Sequence, residues 1–414
     1  MSIRNHSFLF FSDNLSNKLL PMGYELMPNV SDIFELEFAL GEINLLVEDE
    51  LIERSAFIGK VNGVPTRHYK LGLASSLDIY NNKSIRTRSF FQKGRFSTGY
   101  GVHSLFPYRG KFHAQLVKAI INIIGLKPGD TLLDPMMGSG TACIEAQTMG
   151  INAIGVDISP FCKLMASAKS IALTTEPTML DRAVENPHEA AQALARYVGK
   201  TEELEKFSGH RKIVLLAYLD AMGYARRVKD QAVGDKFPEV LSRYKHTINE
   251  FARLRQELGL DLGQARFEIG NTCNLTLEDE SIDGIITSPP YSFAIDYIEN
   301  DLPQLEYLGV NVENLRKNLM GLRGGNKKKD RIETYFSDLK LALAEMSRVL
   351  RTGKYCVIVI GSNEIQTGGI RHEVEIKNIA PTYRLKLVKE MIKPIRGIRN
   401  SMTEEFVLFF QKET

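Results

Sequence analysis

The stretch that decides the fold is Thr131–Ser159, TLLDPMMGSGTACIEAQTMGINAIGVDIS. Its first four residues are an apolar run that ends in the carboxylate Asp134, and the proline and glycines that follow cannot continue a strand. Residues 141–149 predict a helix. A second strand is predicted over 152–156, with Asp157 at its carboxyl end. A glycine turn after one strand and an acid after the next are typical of a nucleotide-like site in an open α/β sheet.

The composition of the turn narrows the ligand. It reads DPMMGSGT, with an acid before the turn and without the third glycine of the dinucleotide pattern. An acid there suits a ligand with a cationic amino group, such as S-adenosylmethionine. The turn resembles motif I of the amino-methyltransferases, which methylate exocyclic nitrogens of nucleobases; the alternative is a generic Rossmann turn with another ligand. The resemblance assigns cofactor contacts to the turn and to the end of the second strand: Asp134, Pro135, Met136, Gly138, Ser139, Gly140, Thr141, Asp157 and Ile158.

A second motif lies in Ser281–Tyr291, SIDGIITSPPY. Residues 282–287 predict a buried strand, and two prolines after it make a rigid loop with free carbonyls. Alone, the four letters SPPY would fit an ordinary proline-rich turn. After a strand, and downstream of the glycine turn, they resemble motif IV, [DNS]-P-P-[YFW], of the same family. The resemblance assigns the catalytic site to Ser288, Pro289, Pro290 and Tyr291.

Two further segments complete the resemblance. Residues 106–113 are similar to motif X, the loop and helix start that close over the methionine end of the cofactor, and contribute Phe112 and His113; a simple linker is the alternative. Asn271 follows a predicted third strand, 266–270, and can reach the adenine.

The resemblance implies an α/β fold: a Rossmann-like class I methyltransferase with a mostly parallel seven-stranded sheet and an antiparallel closing strand. We expect four parts along the chain. These are an N-terminal region (1–98), a cofactor-binding half (99–174), a helical insertion that is a candidate for target recognition (175–262), and a catalytic half (263–414).

The composition limits the ligands that the protein can bind and the compartment in which we expect it. The 414 residues carry a net charge of +2, so nucleic-acid binding would need local basic patches. Four cysteines without C-x-x-C spacing indicate a reducing compartment and no structural zinc. No apolar run is long enough for a membrane helix, and no cleavable signal is recognised. We expect a cytoplasmic protein without a metal and without membrane contact.

Three segments are rich in basic residues. Residues 83–100 interleave arginine and lysine with aromatic side chains, which suits phosphates and stacked bases or, equally, a solvated loop. The insertion carries a basic run through Arg243, Lys245, His246, Arg253 and Arg255, and a helical brace without DNA contacts is the alternative to target recognition. Residues 316–331 predict a flexible cationic loop around Gly324 and Gly325.

The remaining elements follow from periodicity and turn signals. Residues 34–40 and 43–46 fit either strands or helices, whereas 56–61 and 68–71 predict a hairpin around Asn62-Gly63. The other segments are a strand at 8–11, helices at 113–124, 160–171, 296–308 and 335–350, a turn at Gly353, and strands at 355–360, 383–392 and 405–411.

The residue before the two prolines bears on the substrate. In the resembling family, D-P-P-[YFW] is usual for adenine-N6 enzymes and S-P-P-[YFW] for cytosine-N4 enzymes. Ser288 therefore favours N4 of cytosine in double-stranded DNA, reached by base flipping, with a cognate restriction endonuclease as a functional rather than physical partner. N6 of adenine, N2 of guanine in tRNA, and a binding module that has lost its chemistry are the alternatives.

Overall fold

The structure is a computed structural model that describes residues 19–30, 32–74, 99–108, 110–200, 206–207, 209–227, 232–290, 296–324, 327–361, 369–395 and 404–414. The predicted strand at 8–11 and nearly all of the basic segment 83–100 lie outside these residues. Within those ranges, no helix combines the length and apolar character needed to cross a membrane.

In the part of the chain that the structure describes, ten strands form two sheets. The small sheet contains β1 (Tyr24–Leu26), β2 (Ile58–Val61) and β3 (Val64–Pro65). The large sheet contains β4 (Thr131–Asp134), β5 (Asn152–Asp157), β6 (Ala265–Ile269), β7 (Ile282–Thr287), β8 (Leu350–Gly361), β9 (Leu385–Pro394) and β10 (Glu404–Lys412).

The large sheet has the order β6-β5-β4-β7-β8-β10-β9. Strands β4 to β8 pair in parallel, and β10 runs antiparallel to both of its neighbours. This is the predicted seven-stranded, mostly parallel sheet with an antiparallel closing strand, and the predicted fold class is confirmed. The order places β4 in the middle, between the strand that ends in Asp157 and the strand that leads into Ser288.

Fourteen α-helices are present in the described residues. They are α1 (Ile33–Leu45), α2 (Glu48–Arg54), α3 (Arg67–Ala74), α4 (Ala114–Ile123), α5 (Thr141–Thr148), α6 (Pro160–Ala172), α7 (Asp181–Glu185), α8 (Pro187–Ala195), α9 (Gly209–Arg227), α10 (Val233–Leu258), α11 (Tyr297–Tyr307), α12 (Val312–Asn318), α13 (Lys328–Val349) and α14 (His372–Ile379). Short 3₁₀ helices cover Gly101–Ser104, Pro177–Leu180 and Ala380–Tyr383.

Helices cover both faces of the sheet. On one face, α1, α4 and α5 share a core with the strands, and the Phe38 ring lies 6.4 Å from that of Phe409 on β10. On the other face, α13 buries Leu339, Leu343 and Met346. The described part of the N-terminal region is therefore packed against the sheet.

In the N-terminal region, one open assignment is settled and one prediction needs correction. The segments 34–40 and 43–46, which fitted either strands or helices, belong to one helix, α1 (Ile33–Leu45), with Leu46 as its C-cap. The hairpin around Asn62-Gly63 is present, with φ of +49° and +79°, but its second strand is β3; residues 68–71 belong to α3 and the predicted strand there is wrong. The Thr66 hydroxyl accepts the Tyr69 N–H at 3.2 Å, as an N-cap residue does at a helix start.

The catalytic half differs from prediction in three places. The segment predicted as a loop over 316–331 contains the end of α12 and the start of α13, while residues 325–326 lie outside the described part. Strand β8 does not begin after Gly353 but runs through it, because an irregular register against β7 absorbs the extra residues. Helix α14 had no sequence prediction.

The insertion is helical, as predicted. Helices α9 and α10 pack against each other and share one buried cluster with α6 and with the 3₁₀ helix Gly101–Ser104. Its basic run is largely neutralised within the protein. Arg243 pairs with Asp220, and the other pairs join Lys245 to Asp181, Arg253 to Glu250 and Glu257, and Arg255 to Glu176.

Candidate functional site

Two carboxylates mark the carboxyl edge of the sheet. Asp134 ends β4 and Asp157 ends β5, and because these strands pair in parallel the two side chains lie at the same edge. Asp157 accepts the backbone N–H of Gly138 and of Ser159, both at 2.9 Å. It therefore fixes the glycine loop in addition to facing the cavity that this loop borders.

The loop between β4 and α5 uses its glycines in two ways. Gly138 and Gly140 have φ of +48° and +76°, which other residues rarely adopt. A Cβ on Gly138 would lie 3.5 Å from the Tyr108 ring, on the cavity side. A Cβ on Gly140 would lie 2.6 Å from Ala166 Cβ on α6. Gly140 thus permits helix packing, whereas Gly138 keeps space open at the cavity.

A hydrogen bond joins the two sequence motifs. The Thr287 hydroxyl, at the end of β7, donates to Asp134 Oδ1 at 2.8 Å. Both residues are buried. Ser288 follows Thr287 directly, so the start of the Pro-Pro loop is held next to the motif I carboxylate.

The structure brings most of the predicted residues around one cavity. Its lining includes Phe112, Asp134, Pro135, Met136, Gly138, Ser139, Thr141, Asp157, Ile158, Asn271, Ser288 and Pro290. Three predicted residues do not line it: Pro289, Gly140 and His113. His113 instead caps α4, where its Nδ1 accepts the Leu116 N–H at 3.2 Å. Tyr291 lies outside the described residues.

The cavity also contains side chains that sequence reasoning missed. Tyr108 and Tyr297 face each other across it with nearly parallel rings, 6.5 Å between centroids. Asp301 lies one helical turn after Tyr297 on α11, and Leu305 follows one turn later. The spacing i, i+4, i+8 on a predicted helix next to motif IV is the signal that could have identified this face. Lys111 was missed although it lies inside the motif X segment.

The electrostatics of the cavity favour a cationic ligand. Burial raises the pKa of Asp134 to about 7, opposed by the hydrogen bonds from Thr287 and the Met136 N–H. Burial, together with the nearby charge of Asp157, also raises the pKa of Asp301 to about 7. The pKa of Asp157 is raised for the same reason, burial. A bound cation would stabilise the ionised form of each carboxylate.

A buried polar network anchors the segment that borders the cavity. Glu145 on α5 is fully buried and accepts a hydrogen bond from Tyr100 Oη at 2.7 Å, and its other carboxylate oxygen forms an ion pair with Lys118 Nζ at 3.3 Å. His103 Nε2 lies 2.5 Å from the same carboxylate. The Lys111 Nζ in turn donates to the His103 carbonyl oxygen at 2.5 Å. The segment over 100–111 is thereby tied to the helix that follows the glycine loop.

Comparisons with known proteins match the part of the chain that contains most of these residues to a methyltransferase domain. Residues 104–300 match the family model described as RMKL-like, methyltransferase domain. The type II methyltransferase M.BsoBI of Geobacillus stearothermophilus is 25% identical over 315 residues, which cover 60% of this chain and 62% of that protein. The chain thus spans less than two thirds of the length of this relative.

Two further relatives match shorter parts. The type II methyltransferase M.MjaII of Methanocaldococcus jannaschii is 48% identical over 68 residues, 16% of this chain and 13% of that protein. A tRNA (guanine(10)-N2)-dimethyltransferase of Methanothermobacter thermautotrophicus is 34% identical over 82 residues, 19% of this chain and 24% of that protein. The predicted resemblance to the amino-methyltransferases is confirmed, and with it the predicted cofactor, S-adenosylmethionine.

Proposed function

From the premise that residues 104–300 match an RMKL-like methyltransferase domain, we propose that this chain methylates the exocyclic N4 of cytosine in double-stranded DNA. The hydrogen bond between Thr287 and Asp134 is the observation that carries the proposal. It holds Ser288, the candidate acceptor for the target amine, at the cavity that is lined by the candidate cofactor residues.

The residues of the cavity fit S-adenosylmethionine. Its ammonium and sulfonium suit the carboxylates of Asp134 and Asp301, and its ribose hydroxyls suit Asp157. Asn271, whose Oδ1 accepts the Cys273 N–H at 2.9 Å, is a candidate for the adenine. When bound, the cofactor supplies an electrophilic methyl group; the chain supplies its position.

The Pro-Pro loop orients the base. An exocyclic amine is a poor nucleophile because its lone pair is delocalised into the ring. The Ser288 hydroxyl and the Pro289 carbonyl would accept its two N–H groups, which localises the lone pair, and Tyr291 would stack on the flipped base. A serine hydroxyl is too weak a base to remove the proton beforehand, so orientation is the main contribution of the loop, and the proton leaves after transfer.

One argument supports the choice of the target base, and another supports the choice of DNA over tRNA. Ser288 at the first position of the motif favours N4 of cytosine over N6 of adenine. The match to M.BsoBI extends over 60% of this chain, against 19% for the tRNA enzyme. A restriction endonuclease that cuts the same sequence is the functional partner we propose. The tRNA relative nevertheless makes N2 of guanine in tRNA the second candidate.

Product analysis tests the proposal. We would express the chain in a host without endogenous methylation, digest its DNA and its tRNA to nucleosides, and measure modified nucleosides by mass spectrometry. We expect N4-methylcytosine in DNA. Detection of N6-methyladenine in DNA would show that the target base is adenine. Detection of methylated guanosine in tRNA alone would show that the substrate is tRNA. Either result would contradict the proposal.

Substitution of Ser288 tests the catalytic assignment. Ser288→Ala should lower the single-turnover rate and leave cofactor affinity near wild type, because it removes one of two acceptors for the amine. Ser288→Asp keeps an acceptor and should retain some activity. Ser281→Ala is the matched control, because Ser281 directly precedes β7 whereas Ser288 directly follows it. This variant should leave the single-turnover rate unchanged. A wild-type rate for Ser288→Ala would exclude this residue from the reaction.

A further inference from the structure

A buried lysine contacts the glycine loop between β4 and α5 from the side of α6. Lys169 is fully buried, and its Nζ donates to the Ser139 carbonyl oxygen at 3.2 Å. Ala166, three residues earlier on α6, lies on the same face of the helix and would contact a Cβ on Gly140 at 2.6 Å. Burying an ammonium group is costly, so the packing of this helix on the loop does not by itself explain a lysine here.

The hydrogen bond fixes the peptide group between Ser139 and Gly140. The carbonyl oxygen of this peptide accepts from Lys169, and its N–H donates to the Met137 carbonyl oxygen at 2.8 Å. Because glycine adopts both signs of φ, a peptide next to Gly140, whose φ is +76°, can rotate unless its polar groups are held. Rotation would reverse the directions of its C=O and N–H.

The orientation of this peptide bears on the cavity. The side chains of Ser139 and Thr141 line the cavity, with their hydroxyl oxygens 3.1 Å apart. Lys169 does not line it and therefore reaches the cavity through the loop.

Charged groups influence Lys169 from the cavity and from the insertion. Lys111 lines the cavity, and the buried Asp220 belongs to α9. Burial lowers the pKa of Lys169 well below its usual value and Lys111 lowers it further, whereas Cys162 and Asp220 oppose the shift. A lysine amine donates a hydrogen bond in its charged and in its neutral form, so the contact with Ser139 does not depend on the charge.

We propose that Lys169 is a positioning residue that holds the peptide between Ser139 and Gly140 in the orientation that binds S-adenosylmethionine. It acts through the glycine loop and not through contact with the cofactor. The inference rests on the proposed function for its cofactor alone, and the identity of the methylated base does not enter.

Calorimetry with two ligands, without nucleic acid, tests the inference. S-adenosylmethionine and S-adenosylhomocysteine share the nucleoside and amino-acid groups, but the sulfonium charge is present in the first alone. Lys169→Met removes the donor and should weaken both ligands equally, by roughly 3- to 10-fold, because part of the protein would hold the loop in another orientation.

The two ligands separate positioning from charge. If Lys169 acted through its positive charge, Lys169→Met would strengthen the binding of the cationic S-adenosylmethionine and leave S-adenosylhomocysteine unchanged. That result, or unchanged affinity for both ligands, would overturn the inference. Lys163→Met is the matched control, since Lys163 is a half-buried lysine on another face of α6, and should leave both affinities unchanged.

Amide hydrogen exchange separates positioning of the loop from support of the whole fold. In Lys169→Met the Gly140 N–H should exchange faster, while the N–H groups of β4 and β5 should keep their wild-type rates. Faster exchange along these strands as well, or a variant that does not fold, would mean that Lys169 supports the fold and would overturn the inference. Failure of the DNA proposal leaves both measurements unaffected, because neither contains nucleic acid.

Discussion

Asp134 is a buried carboxylate at the end of β4. Its carboxyl has a pKa of about 7 in the folded protein, because burial disfavours the ionised form. In the unfolded chain the same carboxyl ionises near pH 4. Between these values the folded protein holds a proton that the unfolded chain has released, so stability falls as the pH rises from about 4 to about 7.

We expect Asp134→Asn to remove this pH dependence. Asparagine keeps an acceptor for the Thr287 hydroxyl without a charge to bury. We compare the free energy of unfolding of the variant with that of wild type at each pH. This difference should favour the variant by a few kcal/mol more at pH 8 than at pH 5, at about 1.4 kcal/mol per pKa unit. Urea unfolding of both proteins at the two pH values measures the difference. The same difference at both pH values would show that Asp134 is ionised throughout.

Gly138 and Gly140 test the two uses of the glycine loop. Both have positive φ, so alanine costs about 1–2 kcal/mol of backbone strain at either position. Gly140→Ala also brings a Cβ to 2.6 Å from Ala166 Cβ, and should destabilise the protein further. Gly138→Ala should cost no more than this backbone strain and should weaken cofactor binding, because its Cβ would lie on the cavity side, 3.5 Å from the Tyr108 ring.

Ala166→Gly provides the control, because it removes the atom that Gly140→Ala meets. The double variant should therefore recover part of the stability that Gly140→Ala removes, measured by thermal unfolding. Simple additivity of the two effects would contradict the packing role assigned to Gly140.

Among the helices and strands, the sequence predicted best those whose ends are determined by residues close in the chain. Strand β4 and strand β7 have the predicted bounds, because each is a short buried run closed by residues that cannot extend it. Helix α1 was undecided because FELEF over 34–38 alternates as a strand does. In the structure, Glu35 Oε2 accepts the Asp32 N–H at 3.0 Å at the helix start, a local contact that the alternation conceals.

The cavity was predicted less completely, for a physical reason. Motif residues follow strand ends and can be placed from the chain alone. Tyr108, Tyr297 and Asp301 reach the cavity through the packing of a segment and a helix on the sheet, which depends on contacts distant in sequence. Helix α11 itself was predicted close to its observed bounds, but the direction of its faces was not.

Glu42 on α1 joins the N-terminal region to the methyltransferase domain. Its carboxyl is fully buried and accepts the N–H groups of Ala56 and Phe57 and the amide of Asn122 on α4, at 2.8, 3.1 and 2.8 Å. Glu42→Ala leaves three buried donors without this acceptor, and should cost about 2–4 kcal/mol in urea unfolding. Glu42→Gln keeps an acceptor oxygen and should reduce the free energy of unfolding by less. Equal reductions in the two variants would mean that the negative charge of Glu42, and not its role as an acceptor, stabilises the protein.

At the scale of the whole molecule, the insertion combines a brace with an exposed basic groove. The brace is the packing of α9 and α10 on α6. The groove lies between α8 and α9 and is lined by Arg182, Arg196, Tyr197, His210 and Arg211, among others. Arg196 and Arg211 are exposed. Glu189 also lines this groove and pairs with Arg182 at 2.7 Å, so Arg196 and Arg211, rather than the paired basic run of α10, are the residues that we propose for phosphate contacts.

We expect replacement of Arg196 and Arg211 by alanine to weaken DNA binding for all sequences alike. The slope of log affinity against log salt should decrease by roughly one for each phosphate that the variant no longer neutralises. Arg253→Ala is the control, since this exposed arginine is paired with Glu250 and Glu257. Titrations at several salt concentrations provide the measurement. Weaker binding of one sequence only would mean that the arginines contact bases.

The pairing of β5 with β6 has a consequence for how such a chain can diversify. The two strands lie side by side in register from Ala153 and Ala265 onward, yet residues 158–264 separate them in sequence. The entropy of closing a loop grows only with the logarithm of its length, so doubling this excursion costs about 0.6 kcal/mol. New helices can therefore be added or exchanged there while Asp157 and the strand ends stay in place. If target recognition lies in this insertion, as we expect from the sequence, the recognised sequence can change while the residues that bind the cofactor stay the same.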